Sequence, residues 1–340
     1  MRPSLFRLVI CSAAAAGLAM SAVAQPRTAD PVKRGLQLTD FPRLVPLAAN
    51  VYGYEEIRQP GFTTVSLIVI GRNGVLVADG QGNAAATQTM LDRIRTLTAL
   101  PVRWYVVGSD HGDHTAGNSV LPKDITYIVH PTSRAQLVRD SAVATAGGRG
   151  GRGGAGRGGP PRVVIVPPNA MTGDEQSVDV GGTTVRILFL GRAHTGGDLM
   201  VHLPRERILF MSEAYLNRVF PAMRAAFPSD WVSTVDRALA MDISRYVPGH
   251  GFIEAPAASR EELVMFRKAL VDVIAEVRRL HALGLSADDA AKQANWGEYA
   301  GWFIADQQAP VAVRKVYEEI EGKLAPPPSF RDARIRTAIP

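Results

Sequence analysis

The chain has 340 residues, 46% of them hydrophobic and 21% charged, which is enough apolar material for a sizeable buried core and excludes a disordered protein. Its net charge of +6 is mildly basic and does not by itself argue for nucleic acid. The single cysteine, Cys11, excludes an internal disulfide framework and any cluster of thiolate ligands.

The N-terminus carries Arg2 and Arg7, then an apolar run from Leu8 to Met20, then Ala22-Val23-Ala24 before Gln25. That is the order of a secretory signal: charge, apolar core, small-residue cleavage site. The apolar part is too short to span a bilayer convincingly. Residues 1–24 are therefore read as a signal segment, and the protein as periplasmic or secreted, with no stable membrane span after cleavage. Removal takes away Arg2, Arg7 and Cys11 and no acid, leaving a net charge of +4 and no cysteine. Residues 25–44 read as a polar leader, 45–255 as the main domain, and 256–340 as a helical extension.

Val51 to Ile57, Thr63 to Ile70 and Gly74 to Ala78 predict strands, with Arg72-Asn73-Gly74 as a turn. Ala84 to Leu97 has helical spacing, with Met90, Leu91, Ile94 and Leu97 on one face. Val102 to Val107 predicts a buried strand. It leads into Ser109-Asp110-His111-Gly112-Asp113-His114, where three groups with lone pairs fall within four residues. Imidazole nitrogens and carboxylate oxygens at such density are what a metal ion needs. Ile125 to Val129 predicts another strand, and Ser133 to Ser141 a helix.

Residues 147–161 are a low-complexity insertion; 147–159 hold nine Gly with Arg149, Arg152 and Arg157. Such a stretch buries too little apolar area to order itself. An Arg-Gly-Gly nucleic-acid segment is one reading. A surface loop between two halves of the domain is favoured, because three arginines give a small electrostatic attraction, and no nucleic-acid partner is expected. Beyond it, Arg162 to Val166, Gln176 to Val180, Thr183 to Leu190, Leu199 to His202 and Ile208 to Met211 predict strands, with Gly181-Gly182 as a hairpin turn. Leu216, Phe220, Met223 and Phe227 carry little charge around them and either line an apolar substrate cleft or belong to the core. Asp230 to Met241 predicts a helix, and Tyr246-Val247 a strand leading to His250.

In the C-terminal part, Ser259 with Glu262 predicts a capping box. Leu263, Phe266, Leu270, Val273, Val277 and Leu280 then share a helix face up to a stop at Gly284. Ser286 starts a second helix and Pro310 a third, with Val313, Val316, Tyr317 and Ile320. These faces cover the domain or make a homodimer contact.

Three segments carry the functional signal in order: Ser109 to His114, then Gly191-Arg192-Ala193-His194-Thr195-Gly196-Gly197-Asp198, then Pro248-Gly249-His250-Gly251. Together they resemble the signature of the metallo-β-lactamase superfamily, H-x-H-x-D-H, G-x-x-H-T-x-G-D and P-G-H-G, over residues 45 to 255. The resemblance implies an α/β fold, an αββα sandwich here followed by a C-terminal helical extension. It implies a first metal site at Ser109, His111 and His194, a second at Asp113, His114 and His250, and a bridging acid at the position of Glu213, which follows Ile208-Leu209-Phe210-Met211-Ser212. It gives Asp79 a structural or supporting place near the metals. His130, His202 and His281 are read as structural, and Asp198 as a supporting group rather than a ligand.

Two departures stand out. Ser109 replaces the family's first His and is a poor zinc ligand, since its hydroxyl stays protonated near neutral pH. Glu213 replaces Asp and reaches one methylene further. The second site is intact by residue type and has the three-ligand, open-position form of catalytic zinc. The expectation is one firmly bound zinc held by Asp113, His114 and His250, with a second ion weak or absent; iron and manganese also accept such donors. A metal of this kind brings the pKa of water toward ~7. If the first site is empty, His111 and His194 become candidates for general base or oxyanion donor, with Asp113 assisting. The expected activity is hydrolysis of an ester, lactone, thioester or amide, including β-lactams, in a small-molecule substrate. Phosphodiester cleavage stays open. The alternative is a non-catalytic binding protein with a degenerate site, which Ser109 and Glu213 favour and five matching ligand positions oppose.

Overall fold

The computed structural model describes residues 26–58, 61–145 and 163–326. The signal-like segment 1–24, the Gly/Arg-rich stretch 147–161 and the tail after residue 326 lie outside the described residues.

Two sheets stack face to face. In the first, β1 (Arg43–Ala48), β2 (Val51–Arg58), β3 (Phe62–Gly71), β4 (Gly74–Ala78), β5 (Val102–Val106) and β6 (Thr126–Ile128) lie in sequence order. Pairing is antiparallel up to β4 and parallel from β4 to β6. The change follows from the connections. A two-residue turn at Arg72-Asn73 joins β3 to β4, whereas α1 (Ala84–Leu97) carries the chain back to start β5. The second sheet contains β7 (Glu175–Asp179), β8 (Thr184–Leu188), β9 (Met200–Leu203), β10 (Ile208–Phe210) and β11 (Arg245–Val247), ordered β11-β10-β9-β8-β7. Only β10 and β11 pair in parallel there, and α4 (Pro228–Leu239) is their crossover.

Side-chain alternation sets the layers. On β3, Val65, Leu67 and Val69 face Val185, Ile187, Val201, Leu203 and Phe210 of the second sheet. Ile68, on the opposite face of β3, packs instead with Met90, Leu91 and Ile94 of α1 and Leu137 of α3 (Pro131–Thr145). Both faces are thus buried, and the second half of β3, Leu67 to Ile70, reads as one apolar run. The outer face of the second sheet is covered by α4, α5 (Pro256–Ala282) and α7 (Ala305–Ile320), with α6 (Ala287–Gln293) between the last two. Phe266 and Leu270 of α5 meet Trp231 and Val235 of α4 and Val313 and Val316 of α7 in that layer. Leu216, Phe220 and Met223 belong to this same core and are at most 1% exposed, so they do not line a cleft. Among the described residues no helix is long and apolar enough to cross a membrane.

Four local expectations change. The edge strand β1 forms although its residues are only half-buried and show no clean alternation. Residues 163–166 form no ladder; Val164 and Val166 pack on the α1/α3 layer as irregular chain. Ser259 and Glu262 do not cap α5. The helix begins at Pro256, whose fixed φ suits a first helical position. Ser259 Oγ instead accepts from the Tyr246 amide at 2.6 Å, and Glu262 binds Arg218 at 2.6 Å and Arg27 at 3.0 Å. Pro310 lies inside α7 rather than at its start, where it removes one helix hydrogen bond. Residues 26–42 fold back on the C-terminal part: Arg27 reaches Glu261 at 2.7 Å, Arg34 pairs with Glu254, and Ala29 is fully buried.

Phe266 touches both Trp231 and Tyr215, with ring centroids 5.6 and 5.7 Å away, and is fully buried. Phe266→Ala is expected to cost about 3–5 kcal/mol through the cavity it leaves, measured by urea unfolding. His130 precedes α3, stacks on Phe189 at 4.1 Å and accepts the Thr132 amide at Nδ1. Burial pushes its imidazole down to about 4 from an ordinary value of 6.5. The folded state therefore prefers neutral His130. Its stability is intact above pH 6.5 and is lost as pH falls toward 4, by about 3 kcal/mol. His130→Gln should remove about that much of the stability difference between pH 7 and pH 4. An unchanged difference in unfolding free energy would contradict this.

Candidate metal centre

Five chain segments deliver the site. β5 ends at Val106, and the chain passes through Gly108 and Ser109 into the one-turn helix α2 (Gly112–Thr115), preceded by His111. Asp79, at the end of β4, shapes this passage. Its Oδ1 accepts from the amides of Gly108 at 2.7 Å and Ser109 at 3.3 Å, and its Oδ2 accepts from the Ser212 hydroxyl. The hydroxyl of Thr115 donates to the His111 carbonyl at 2.9 Å and closes the α2 turn. His194 sits on the loop between β8 and β9. Asp198 accepts from both the amide and the hydroxyl of Thr195 at 2.7 Å, which tightens that loop beside His194. Burial pushes the Asp198 carboxyl up to about 7 despite those bonds.

Glu213 lies in the tight turn Ser212–Ala214 that follows β10. The Trp231 indole N–H donates to the Ala214 carbonyl at 2.9 Å, and the same ring meets His194 edge-on at 5.3 Å. His250 follows β11 through Gly249. A Cβ on Gly249 would fall 2.4 Å from the Ser212 carbonyl carbon, so only glycine lets the Glu213 and His250 loops touch.

All six predicted ligands converge. Asp113, His114, Glu213 and His250 form one buried group, and His111, His194 and Glu213 another, with the ligand atoms of each group within 4.8 Å of one another. Glu213 belongs to both. Its Oε2 lies 2.9 Å from His111 Nδ1, and its Oε1 lies 3.2 Å from both His194 Nε2 and His250 Nε2. Asp113 Oδ2 is 3.1 Å from His250 Nε2. Ser109 is in the site too, as a donor: its hydroxyl gives a 2.5 Å hydrogen bond to Glu213 Oε2.

The second group fits a cation on proton accounting alone. His250 Nδ1 faces the Thr63 carbonyl at 2.8 Å and so carries the proton. His114 Nδ1 lies 3.0 Å from Asp79 Oδ2, a charge contact rather than an aligned hydrogen bond, and that carboxylate favours the proton on Nδ1. The two Nε2 atoms therefore present lone pairs to each other across 3.3 Å, alongside Asp113 Oδ2 and Glu213 Oε1. Four buried lone pairs pointing at one another repel unless a proton or a metal ion lies between them. Two carboxylates suit a divalent ion, and such carboxylate and carbonyl contacts are the outer partners that orient metal-bound imidazoles. Without a metal ion, protons take that place. Burial opposes charge on His111 and His114, but Glu213 raises the first and Asp79 and Glu213 the second, each to about 9. Glu213 and Asp113 are desolvated, yet the histidines around Glu213 and Arg58 beside Asp113 hold both carboxyls below their ordinary range.

The first group is less determined. His111 Nε2 and His194 Nδ1 are buried without a hydrogen-bond partner among the described residues, so no outer group selects their tautomers. Burial, helped by His111 and His250 and opposed by Glu213, lowers the His194 pKa.

Sequence reasoning missed three contributors. Thr63 acts through its backbone carbonyl, which leaves no trace in residue type. Trp231 looks like any core aromatic of an amphipathic helix. Arg58, at the end of β2, lies 2.9 Å from Asp113 Oδ2 and carries no motif.

No family model matches the chain. Among solved structures, a metallo-β-lactamase from Pontibacter korlensis superposes with a TM-score of 0.52 at 17% identity, over 66% of this chain and 98% of that one. The chain has the metallo-β-lactamase fold. A larger share of it superposes on another protein of this fold, the inverting sec-alkylsulfatase Pisa1 from Pseudomonas sp., with a TM-score of 0.64 at 15% identity over 88% of this chain and 54% of that one. In sequence, the chain is 21% identical over 187 residues to the 2,4-dinitroanisole O-demethylase subunit alpha of Nocardioides sp. strain JS1661, which covers 54% of this chain and 52% of that subunit. It thus spans about half the length of the sulfatase and of the demethylase subunit.

Removing a group that only orients a ligand should weaken metal binding without removing a donor. Asp79→Asn is expected to lower metal affinity about 10–100-fold, and His250→Ala to lose the ion held with Asp113 and His114. Elemental analysis after dialysis against graded chelator reads both. Wild-type retention in the His250→Ala protein would exclude this group as the binding site.

Proposed function

We propose that this protein is a metal-dependent hydrolase, with zinc held firmly by Asp113, His114 and His250 and a weaker ion shared by His111, His194 and Glu213. The observation that carries it is the pair of Nε2 atoms of His114 and His250 facing each other across 3.3 Å, with their Nδ1 atoms turned to Asp79 and to the Thr63 carbonyl. When bound, such an ion supplies Lewis acidity: it makes water acidic enough to attack near neutral pH and polarises the bond under attack. The chain does the rest. Glu213 ties the two groups together through its two oxygens. His111 and Asp113, with side chains 11% and 7% exposed, are the most open of the six, so the substrate approaches from their side.

The unequal binding follows from Ser109. Its hydroxyl spends its proton on Glu213 Oε2 and offers no imidazole to the first group. Ser109→His is expected to raise the number of tightly held ions from one to two, counted by elemental analysis. Two tightly held ions in the unmodified protein would refute the unequal pair.

The fold does not choose the bond. Proteins that share it or match the sequence are named for sulfate-ester, β-lactam and O-demethylation chemistry. The reading here is an ester, lactone, thioester or amide, with the sulfate ester added by that likeness. The N-terminal pattern of residues 1–24 supports action outside the cytoplasm. The test is a panel of a chromogenic cephalosporin, a lactone, a nitrophenyl ester and an alkyl sulfate, each with and without chelator. Expected is turnover of at least one substrate that chelator abolishes and added zinc restores, and that His250→Ala lowers by at least ~100-fold. Metal binding without turnover of any of them would favour the second reading, a binding protein, for which the replacement of a ligand by Ser109 is the supporting observation.

A further inference from the structure

Among the described residues, Arg58 is the only arginine or lysine whose ion pair reaches the metal cluster. It is held from two sides. Nη1 lies 2.9 Å from Asp113 Oδ2, and the guanidinium carbon sits 5.0 Å from the centre of the Phe62 ring. Phe62 in turn meets His250 edge-on at 5.0 Å, so the arginine is seated against the ligand set itself. Its side chain is 29% exposed, while the six ligand side chains range from 0% to 11%. Arg58 therefore stands at the rim, on the side where Asp113 opens to solvent.

A guanidinium beside a cation site opposes the metal it adjoins. The arrangement becomes favourable when an anion shares the space, because the arginine and the ion then attract the same group. A guanidinium also offers five N–H donors in a planar fork that matches oxyanions, and one contact to Asp113 does not exhaust them. We propose that Arg58 is the specificity-determining residue of this site and that its substrates carry an oxyanion group, a carboxylate or a sulfate-type group, next to the bond to be cleaved. The guanidinium anchors that group at the rim while Asp113 keeps the arginine in place. This rests on the hydrolase reading above for the word substrate, though not for the binding.

The test separates binding from turnover. Metal-loaded wild-type protein, Arg58→Gln and Arg58→Lys are titrated calorimetrically at constant ionic strength with sodium sulfate, with acetate, and with acetamide as the neutral match of acetate. Thermal melting and elemental analysis check that each variant is folded and loaded. The wild type should bind sulfate or acetate and ignore acetamide. Arg58→Gln should lose at least tenfold in that affinity, and Arg58→Lys should recover part of it. A purely structural Arg58 would change stability or metal content and leave the preference for acetate over acetamide untouched. Equal anion affinity in Arg58→Gln would overturn the proposal and place the anion on the metal alone, and so would a wild type that binds neither anion. With any substrate from the panel that bears an oxyanion, Arg58→Gln should raise KM at least tenfold; unchanged KM counts against the proposal. Anion binding that depends on Arg58 without any turnover would refute the hydrolase reading and leave the anion site standing.

Discussion

Glu213 is where the two halves of the molecule meet, and its carboxylate makes sense only in company. It is buried on the inner side of both sheets' loops, where an unpaired anion would be costly. Ser109 and His111 come to it from the first sheet, and His194 and His250 from the second. The first half pairs His114 with Asp79 and Asp113 with Arg58, but Glu213 finds its histidines only when both halves meet. Stacked, they place opposite charges and lone pairs within one small volume. The stacking itself depends on apolar surface, Val65, Leu67 and Val69 against Ile187, Val201 and Phe210. The hydrophobic effect thus brings the polar cluster together, and the cluster fixes how the sheets register.

The replacement of imidazole by a hydroxyl at Ser109 is consistent with that carboxylate's length. A longer acid reaches across to histidines from both groups, and the Ser109 hydroxyl satisfies one of its oxygens at 2.5 Å. An imidazole at residue 109 would compete with His111 for the same oxygen. Serine keeps the oxygen hydrogen-bonded and gives up a donor. The residue pair leaves the first group with two imidazoles and the bridging carboxylate, one imidazole fewer than the family pattern.

Much of this was legible in the chain, for identifiable reasons. Leu67 to Ile70 of β3 and Val75 to Ala78 of β4 are apolar runs because both faces of those strands are covered, and α1 shows its buried face because one side of it is wet. The ligands were legible because their residue types are rare and their order is specific. What could not be read is what depends on the third dimension alone. β1 is half-buried along its length, so no alternation marks it. Ser259 and Glu262 have the spacing of a cap, yet tertiary partners at Tyr246 and Arg218 use them instead, and Pro256 starts the helix. Arg58 is an ordinary residue at a strand end until folding sets it beside Asp113.

The two ligand groups are braced by different layers, and that sets how they respond to the rest of the protein. His114 and His250 face Asp79, directly after β4, and the Thr63 carbonyl on β3, so both lean on central strands of the first sheet. Backbone bonds strengthen the tie: the Val65 amide donates to the Gly249 carbonyl at 2.8 Å. His194 and the Glu213 turn are instead braced by Trp231, which belongs to the helical layer with Phe266 and the C-terminal helices. Loosening that layer shifts the first group before the second, because β3 and β4 sit in the middle of a six-stranded ladder and Trp231 sits on a single helix. The second group's outer partners are held by the sheet's own hydrogen bonds rather than by side-chain packing, which is the support a firmly held ion would need.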